Sequence, residues 1–369
     1  MRRPSVTILL YASLLSFSIH ATASQKAPWP TEQWTKATPK SQGLDDQRLS
    51  ELVGLCQEGR RFPQLHSLLI VRNGYLVLEN YFSDYGPEDL HTLQSVSKSY
   101  TSALMGVAIE QGKIKSVDER VLDFFPHYTD LKNVDERKRA MTLGHLLTMQ
   151  SGTDYHESPY RGSPHEDLNG LATGWDRFVL NRPMIREPGT AFQYDSGGVI
   201  LMSSMLNART GSHADRFAEQ YLFEPIGVRR SRWFSNQEGH PHTGGGLHLM
   251  PRDMAKFGLL YLRHGRWNDR QIVPESWVIE STRKRVSLAG RGRVVGYGYL
   301  WWILTPDPSG VGKEFIYAAM GFRAQYIFVV PEHDMVVVVT GGTASGVDQR
   351  KPIEFLYSHI LPSVDTRTE

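Results

Sequence analysis

The sequence predicts an α+β fold, an α/β sandwich in which one antiparallel sheet is built from both ends of the chain, flanked by helices, with an all-α lobe inserted between them. Two observations carry this. The stretch Leu65 to Phe82 has β-rich runs on both sides of Asn73-Gly74, the dipeptide that favours a tight hairpin. The last third returns to strand-like runs, whereas the 120 or so residues after Asp118 read mainly as helices and loops.

Taken in order, the chain opens with Arg2 and Arg3, an apolar stretch from Val6 to Ile19, and Ala21-Thr22-Ala23 as an A-x-A cleavage site. This is the layout of a secretory signal over residues 1–23, with the mature protein starting near Ser24 in a bacterial periplasm or outside the cell. Ser13, Ser16 and Ser18 interrupt the apolar stretch, which is short for a membrane span, so no stable membrane anchor is expected after cleavage. Arg2-Arg3 also raises a twin-arginine signal, but the following residues fit that poorly, and no cysteine follows to carry a lipid. Cys56 is the single cysteine, so an internal disulfide is excluded and a packing role is the plain reading.

The whole chain carries 41 basic and 39 acidic residues. Removing residues 1–23 takes away two arginines and no acid, which leaves 39 against 39 and nothing to attract nucleic acid. Residues 24–369 exceed what one hydrophobic core usually serves, so two lobes or one large two-layer domain are expected, with an α/β lobe over about 45–115 and 290–369 and a helical lobe over about 116–289.

After a Pro- and Thr-rich lead, Asp45 to Glu58 has helical spacing, with Leu49, Leu52, Val53 and Cys56 on one side. The hairpin follows, then residues 93–112, where Ala103 to Ile109 runs apolar without a charge, the pattern of a helix buried on every side. Helical segments are expected at Val121 to Pro126, from Thr142, over Gly197 to Arg209 and over Ala214 to Phe223. Another amphipathic helix is expected within Leu247 to Arg263, opened by Pro251 and Asp253 and closed by Gly265. Strands are expected from Tyr297, Glu314, Gln325 and Met335, and a closing helix over Arg350 to Ile360.

The chemistry sits at the start of the central helix. Ser95 and Lys98 are three apart, so a helix puts hydroxyl and amine on one face. A lysine in the first turn opposes the positive end of the helix dipole; dipole and burial together would lower its pKa until the free amine can take the serine proton. An isolated S-x-x-K is weak evidence, because the chain contains a second one, Ser281 to Lys284, in the polar run S-T-R-K-R that reads as a solvated helix end.

Tyr194-Asp195-Ser196 lies in a Pro/Gly-rich loop just before a helix. A tyrosine near a lysine can ionise more easily and shuttle protons, although a packing role explains Tyr194 as well, and Asp195 and Ser196 read equally as a helix cap.

With these residues in view, the chain resembles the serine β-lactamase and penicillin-binding-protein superfamily, in particular its class C-like branch with D-alanyl-D-alanine carboxypeptidases, esterases and 6-aminohexanoate-dimer hydrolases. S-V-S-K resembles the S-x-x-K of that family and Y-D-S its Y-x-N or Y-x-S. The phrases L-L-T-M-Q-S-G-T-D-Y, P-G-T-A-F-Q-Y-D-S-G-G, G-G-G-L-H-L-M-P-R-D-M-A-K-F-G-L-L-Y-L and Q-Y-I-F-V-V-P-E-H-D-M-V-V-V-V-T resemble it in the expected order from about Leu65 to the C-terminus.

The resemblance implies a β-lactamase/transpeptidase-like fold and no cofactor or metal. It makes Ser95 the acylated nucleophile, Lys98 its activating partner, Tyr194 the proton shuttle, and Ser196 a hydrogen-bond partner of lysine or substrate, with Asp195 a spacer. Backbone N–H groups of Ser95 and of a residue near Phe322 would form the oxyanion hole. The expected substrate is a small ester, amide or peptide. Where many relatives have K-T-G or H-x-G, this chain reads Ala319-Met320-Gly321-Phe322-Arg323-Ala324-Gln325. The missing lysine or histidine argues against efficient cleavage of penicillins, unless Arg323 reaches the site.

Other readings stand beside this one. A His-dependent serine hydrolase lacks a G-x-S-x-G elbow. A metal site would draw on His240, His242 and His248, without an H-E-x-x-H to support it. A penicillin-recognition or cell-wall-peptide-binding protein that does not turn over its ligand is the main alternative. Tyr155, Tyr160, Trp175, Trp301 and Trp302 are candidates for lining a cleft, with Gly321, Arg323, Tyr155 and Trp175 as substrate-binding positions.

Overall fold

The computed structural model describes residues 29–59, 62, 64–307 and 314–365, so the signal segment expected over residues 1–23 lies outside the described residues. The strands in chain order are β1 (Leu65–Arg72), β2 (Tyr75–Tyr81), β3 (His91–Thr92), β4 (Arg232–Trp233), β5 (Leu247–Leu249), β6 (Arg266–Trp267), β7 (Arg270–Gln271), β8 (Val286–Ser287), β9 (Val294–Tyr297), β10 (Trp302–Leu304), β11 (Ile316–Gly321), β12 (Gln325–Val330) and β13 (Met335–Gly341).

Eight of these strands form one sheet in the order β2-β1-β13-β12-β11-β10-β9-β8. The two ends of the chain meet where β1 pairs antiparallel with β13, from Leu65 opposite Gly341 to Arg72 opposite Met335. The hairpin turn is where the sequence places it: Asn73 and Gly74 have φ of 51° and 82°, the left-handed pair that matches strand twist. Every residue of β12 and β13 is buried, so both faces of the sheet are covered.

One face receives the helix Pro251–Leu262, which packs on β13, β12 and β1. Gly258 makes the contact close, since a Cβ there would stand 2.4 Å from Val336 Cγ1 and 2.9 Å from Ile327 Cγ2. Neighbouring side chains of a strand point to opposite faces. Tyr326 accordingly reaches the other layer, donating its hydroxyl to the Gln349 carbonyl at 2.6 Å. There the helix Asp46–Gln57 packs on the C-terminal helical turns.

The lobe boundary expected near residue 290 therefore moves. Helix Pro251–Leu262 and β8 belong with the sheet, because the apolar face of that helix has the sheet to bury against. The strand expected from Tyr297 is also two strands: β9 and β10 pair antiparallel through a turn closed by Gly298 N–H to the Trp301 carbonyl at 2.8 Å. The closing helix is present but irregular, with α-helical Lys351–Phe355 passing into a wider turn at Leu356–Ile360.

Helix Ser97–Glu110 is the axis of the molecule, buried from Ser97 to Ala108. It packs on helix Ser196–Thr210 of the helical lobe, and Tyr100 stacks on Phe257 of the sheet-covering helix with ring centroids 3.7 Å apart. Trp277 lies flat on Gly106, where any side chain would collide with the indole. A small sheet, β3-β5-β4, ties the approach to this helix to the segment before Pro251. Among the described residues no helix is long and apolar enough to cross a membrane.

Candidate active site

Ser95 sits in a 3-10 turn, Gln94–Val96, that runs directly into the central helix. Lys98, one turn on, is 1 % exposed, and its Nζ donates to Ser95 Oγ at 2.9 Å and to the Gly244 carbonyl at 2.6 Å. Burial pulls the amine down to about 8, against the opposing pull of the Glu157 and Asp195 carboxylates. Loss of hydration is thus the leading cause of the shift expected from sequence.

The Gly244 carbonyl reaches the lysine because the chain from Thr243 to Gly246 runs tightly along two helices. Thr101 Oγ1 donates to the Thr243 carbonyl at 3.0 Å, and Thr243 Oγ1 donates to the Val199 carbonyl at 2.7 Å. A Cβ on Gly244 would lie 3.2 Å from the Ser196 carbonyl oxygen, so a side chain there would crowd the helix start.

Tyr194 enters from the helical lobe. Its ring stacks on Trp302 with centroids 5.7 Å apart, Lys98 Nζ lies 4.9 Å from its centroid, and its hydroxyl lies near the side chain of Ser95. The expectation that it ionises more easily is overturned. Burial, reinforced by the Glu157 charge, pushes the phenol well above its ordinary value, so it is a neutral donor and acceptor beside the lysine.

Ser196 borders the cleft, but its backbone N–H is held by Glu157 Oε1 at 2.7 Å, and the second lysine contact expected of Ser196 falls to Gly244. Asp195 is more than a spacer. It caps helix Ser196–Thr210 by accepting from Gly198 N–H at 2.8 Å, and takes the Ser151 hydroxyl at 2.7 Å. Its carboxyl is pushed up to about 6, chiefly by burial.

On the opposite wall β11 ends at Gly321, beside Ser95. A Cβ at that position would stand 2.5 Å from the Leu93 carbonyl oxygen and 3.1 Å from the Ser95 backbone nitrogen, so only glycine fits. Phe322, Arg323 and Ala324 turn the chain into β12, with φ of 63° and 66° at the last two. Buried Gln325 pins this turn by donating to the Arg323 carbonyl at 3.0 Å and the Gly341 carbonyl at 2.6 Å. The Gly-x-x-x-Gln pattern is therefore a close approach and a clamp. Phe322 and Arg323 both line the cleft above Ser95, which has a volume of about 1170 Å³.

Two aromatic candidates lie beneath the cleft instead of in it. Tyr155 is fully buried under Gly197 and bonded through its hydroxyl to His165 Nδ1 at 2.9 Å; Trp175 is buried edge-on to His242 at 5.4 Å. Large rings supply core area first, and these two support the loop that carries Glu157 and the His242–Gly246 segment. Trp301 is buried as well, Trp302 backs Tyr194, and Tyr160 alone of the five lines the cleft. His242 and His248 line it too, whereas His240 pairs with Ser204 and His213 elsewhere. Among the described residues no group of three or more His, Cys, Asp or Glu is arranged to hold a metal.

Sequence reasoning missed Glu157 and Gly244. The three consecutive glycines at Gly244–Gly246 were the available signal for the second. Glu157 carried none, because its place depends on how the loop after Tyr155 folds back on Ser196.

An antiparallel sheet closed by both chain ends, a helical lobe, and a serine-lysine pair at the seam between them define the β-lactamase/transpeptidase-like class of fold. The chain belongs to the beta-lactamase family, whose model matches residues 60–353. It is 22 % identical over 290 residues to the 6-aminohexanoate-dimer hydrolase of Paenarthrobacter ureafaciens, covering 74 % of this chain and 71 % of that one. Among solved structures it is similar to EstCE1, a hydrolase with promiscuous acyltransferase activity, with a TM-score of 0.70 at 18 % identity over 86 % of this chain and 98 % of the other. The penicillin-binding protein homologue from Pyrococcus abyssi aligns with a TM-score of 0.66 at 19 % identity, over 87 % and 79 % of the two chains.

Proposed function

We propose that this protein is a serine hydrolase of ester or amide bonds that works through an acyl-enzyme on Ser95, with weak or no β-lactamase activity. The observation that carries the reading is the wholly buried Lys98 with its amine 2.9 Å from Ser95 Oγ. Neutral Lys98 takes the hydroxyl proton as Oγ bonds to the substrate carbonyl carbon. The oxyanion that forms is met by the backbone N–H groups of Ser95 and Phe322 at the end of β11. Tyr194, neutral and near Ser95, passes the proton from Lys98 to the departing oxygen or nitrogen as the carbonyl bond to it breaks. Water then attacks the acyl carbon, gives up its proton along the same route, and releases the acid and the free serine.

The substrate preference rests on the wall opposite. No lysine or histidine stands on β11 at the position where a penicillin carboxylate would need one, and Arg323, which lines the cleft, stands past the strand end on the following turn; the loss of a charged hydrogen bond from the strand costs about 1.5 to 3 kcal/mol, roughly tenfold to a hundredfold in discrimination. The similarity to a 6-aminohexanoate-dimer hydrolase and to a hydrolase with promiscuous acyltransferase activity supports the same direction. Steady-state kinetics should give a larger kcat/KM for simple esters or linear amides than for penicillins and cephalosporins. Cephalosporin turnover that exceeds ester turnover and collapses in Arg323→Ala would make Arg323 a carboxylate anchor and overturn the preference. A stoichiometric adduct on Ser95 without turnover of any ester or amide would favour the binding-protein reading instead. Export is part of the proposal, and N-terminal sequencing should find a start near Ser24; an intact Met1 in the cytoplasmic fraction speaks against it.

A further inference from the structure

The mouth of the Ser95 cleft is ringed by aromatic side chains that the fold leaves in solvent. Tyr160, Phe234 and Phe322 are 51 %, 59 % and 47 % exposed, and all three line this one cleft. Single exposed apolar residues are ordinary on any surface, but three from separate segments meeting at one concave site are not the scatter that chance burial leaves.

Each ring is held by its backbone. Phe234 donates its N–H to the Gly246 carbonyl at 2.9 Å and accepts the His242 N–H at 2.8 Å, so it is tied to the glycine segment whose Gly244 carbonyl fixes Lys98. Trp175 backs it, with ring centroids 6.4 Å apart. Phe322 stands on the turn clamped by Gln325. Tyr160 accepts both the N–H and the hydroxyl of Ser163 on its carbonyl, and its ring meets His165 edge-on at 5.9 Å. Rings held in this way offer contact area at a small entropic cost, since only two side-chain torsions remain to be ordered.

A cleft of about 1170 Å³ is also far larger than a two-carbon acyl group requires. Resting on the acyl-enzyme reading above, we infer that the substrate is an ester or amide carrying an aromatic or extended apolar group beside the scissile bond, received by the rim of Tyr160, Phe234 and Phe322. These rings are specificity-determining residues.

The test compares three alkyl esters of similar intrinsic reactivity by pH-stat titration: ethyl acetate, ethyl 3-phenylpropionate with the ring on the acyl side, and 2-phenylethyl acetate with the ring on the leaving side. At least one aromatic ester should exceed ethyl acetate by about tenfold or more in kcat/KM, chiefly through KM. Phe234→Ala and Tyr160→Ala should each reduce that advantage about threefold to tenfold, the worth of an aromatic contact. Phe234→Leu should recover part of it, and Ile279→Ala, exposed elsewhere, should keep all of it. The inference is overturned if wild-type protein turns over ethyl acetate as well as both aromatic esters, or if the advantage survives both alanine variants. Turnover of every ester persisting in Ser95→Ala sinks the acyl-enzyme reading instead, so the two failures are told apart.

Discussion

The chain contains the S-x-x-K spacing twice, and the two copies have different fates. Ser95-Val96-Ser97-Lys98 enters a helix that continues for three more turns, so the lysine amine folds back onto the serine at 2.9 Å. Ser281-Thr282-Arg283-Lys284 straddles a helix end: the helix stops at Thr282, Arg283 is extended with ψ of 139°, and Lys284 is carried away to lie 5.1 Å over the Phe315 ring. The sequence expectation that this second copy is solvated holds only in part, because Ser281 is fully buried and donates to the Val278 carbonyl at 3.2 Å. A serine and a lysine three apart become a chemical pair only where the helix persists through both and the amine is denied water.

The sharpest break between the two copies is at the serines. Ser95→Ala should lower kcat by about 10⁴-fold or more, and a fluorophosphonate adduct located by mass spectrometry should vanish from the Ser95 peptide. Ser281→Ala should stay within about twofold of wild type, since it loses a single weak hydrogen bond. Labelling that moves to Ser281 would abolish the distinction.

The lysines come next. Lys98→Met should cost about 10² to 10⁴ in kcat/KM, the range of a general base, whereas Lys284→Met should change it little. Equal losses would mean that burial of the amine is irrelevant.

Each serine is also approached by a glycine, which gives a third contrast. A Cβ on Gly321 collides beside the Ser95 nitrogen, and one on Gly298 would stand 2.1 Å from the Ser281 carbonyl oxygen. Gly321→Ala should cut kcat by about 10²-fold by displacing the nucleophile. Gly298→Ala should destabilise by about 1 to 3 kcal/mol in thermal unfolding, with the activity per folded molecule retained.

The smallest effect is on pH. Below about 8 the Lys98 amine is an ammonium that cannot accept a proton, so kcat/KM should fall about tenfold per pH unit on the acid side and level off above. Glu157 favours the charged form of Lys98, so Glu157→Gln should move that limb to lower pH, while Lys284→Met leaves it in place. A limb displaced upward in Glu157→Gln would contradict the electrostatics of the site.

By itself, the sequence determined the sheet closed from both ends, the Asn73-Gly74 turn, the buried helix and the Ser95–Lys98 pair, because each rests on local periodicity, turn chemistry or short spacing, whereas Tyr194 was reached only through the family resemblance. What it could not decide was how completely each S-x-x-K copy is shut off from water, since that depends on where a helix stops and what covers it. The same limit explains Gly244 and Glu157, which reach Lys98 and Ser196 across 146 and 39 residues of chain. It explains Tyr155 and Trp175 as well, which are aromatic like Tyr160 and Phe234 but lie in the core. Whether a ring faces a cleft or props it from below is set by long-range packing, and so is the loss of water that pulls the Lys98 amine down to about 8.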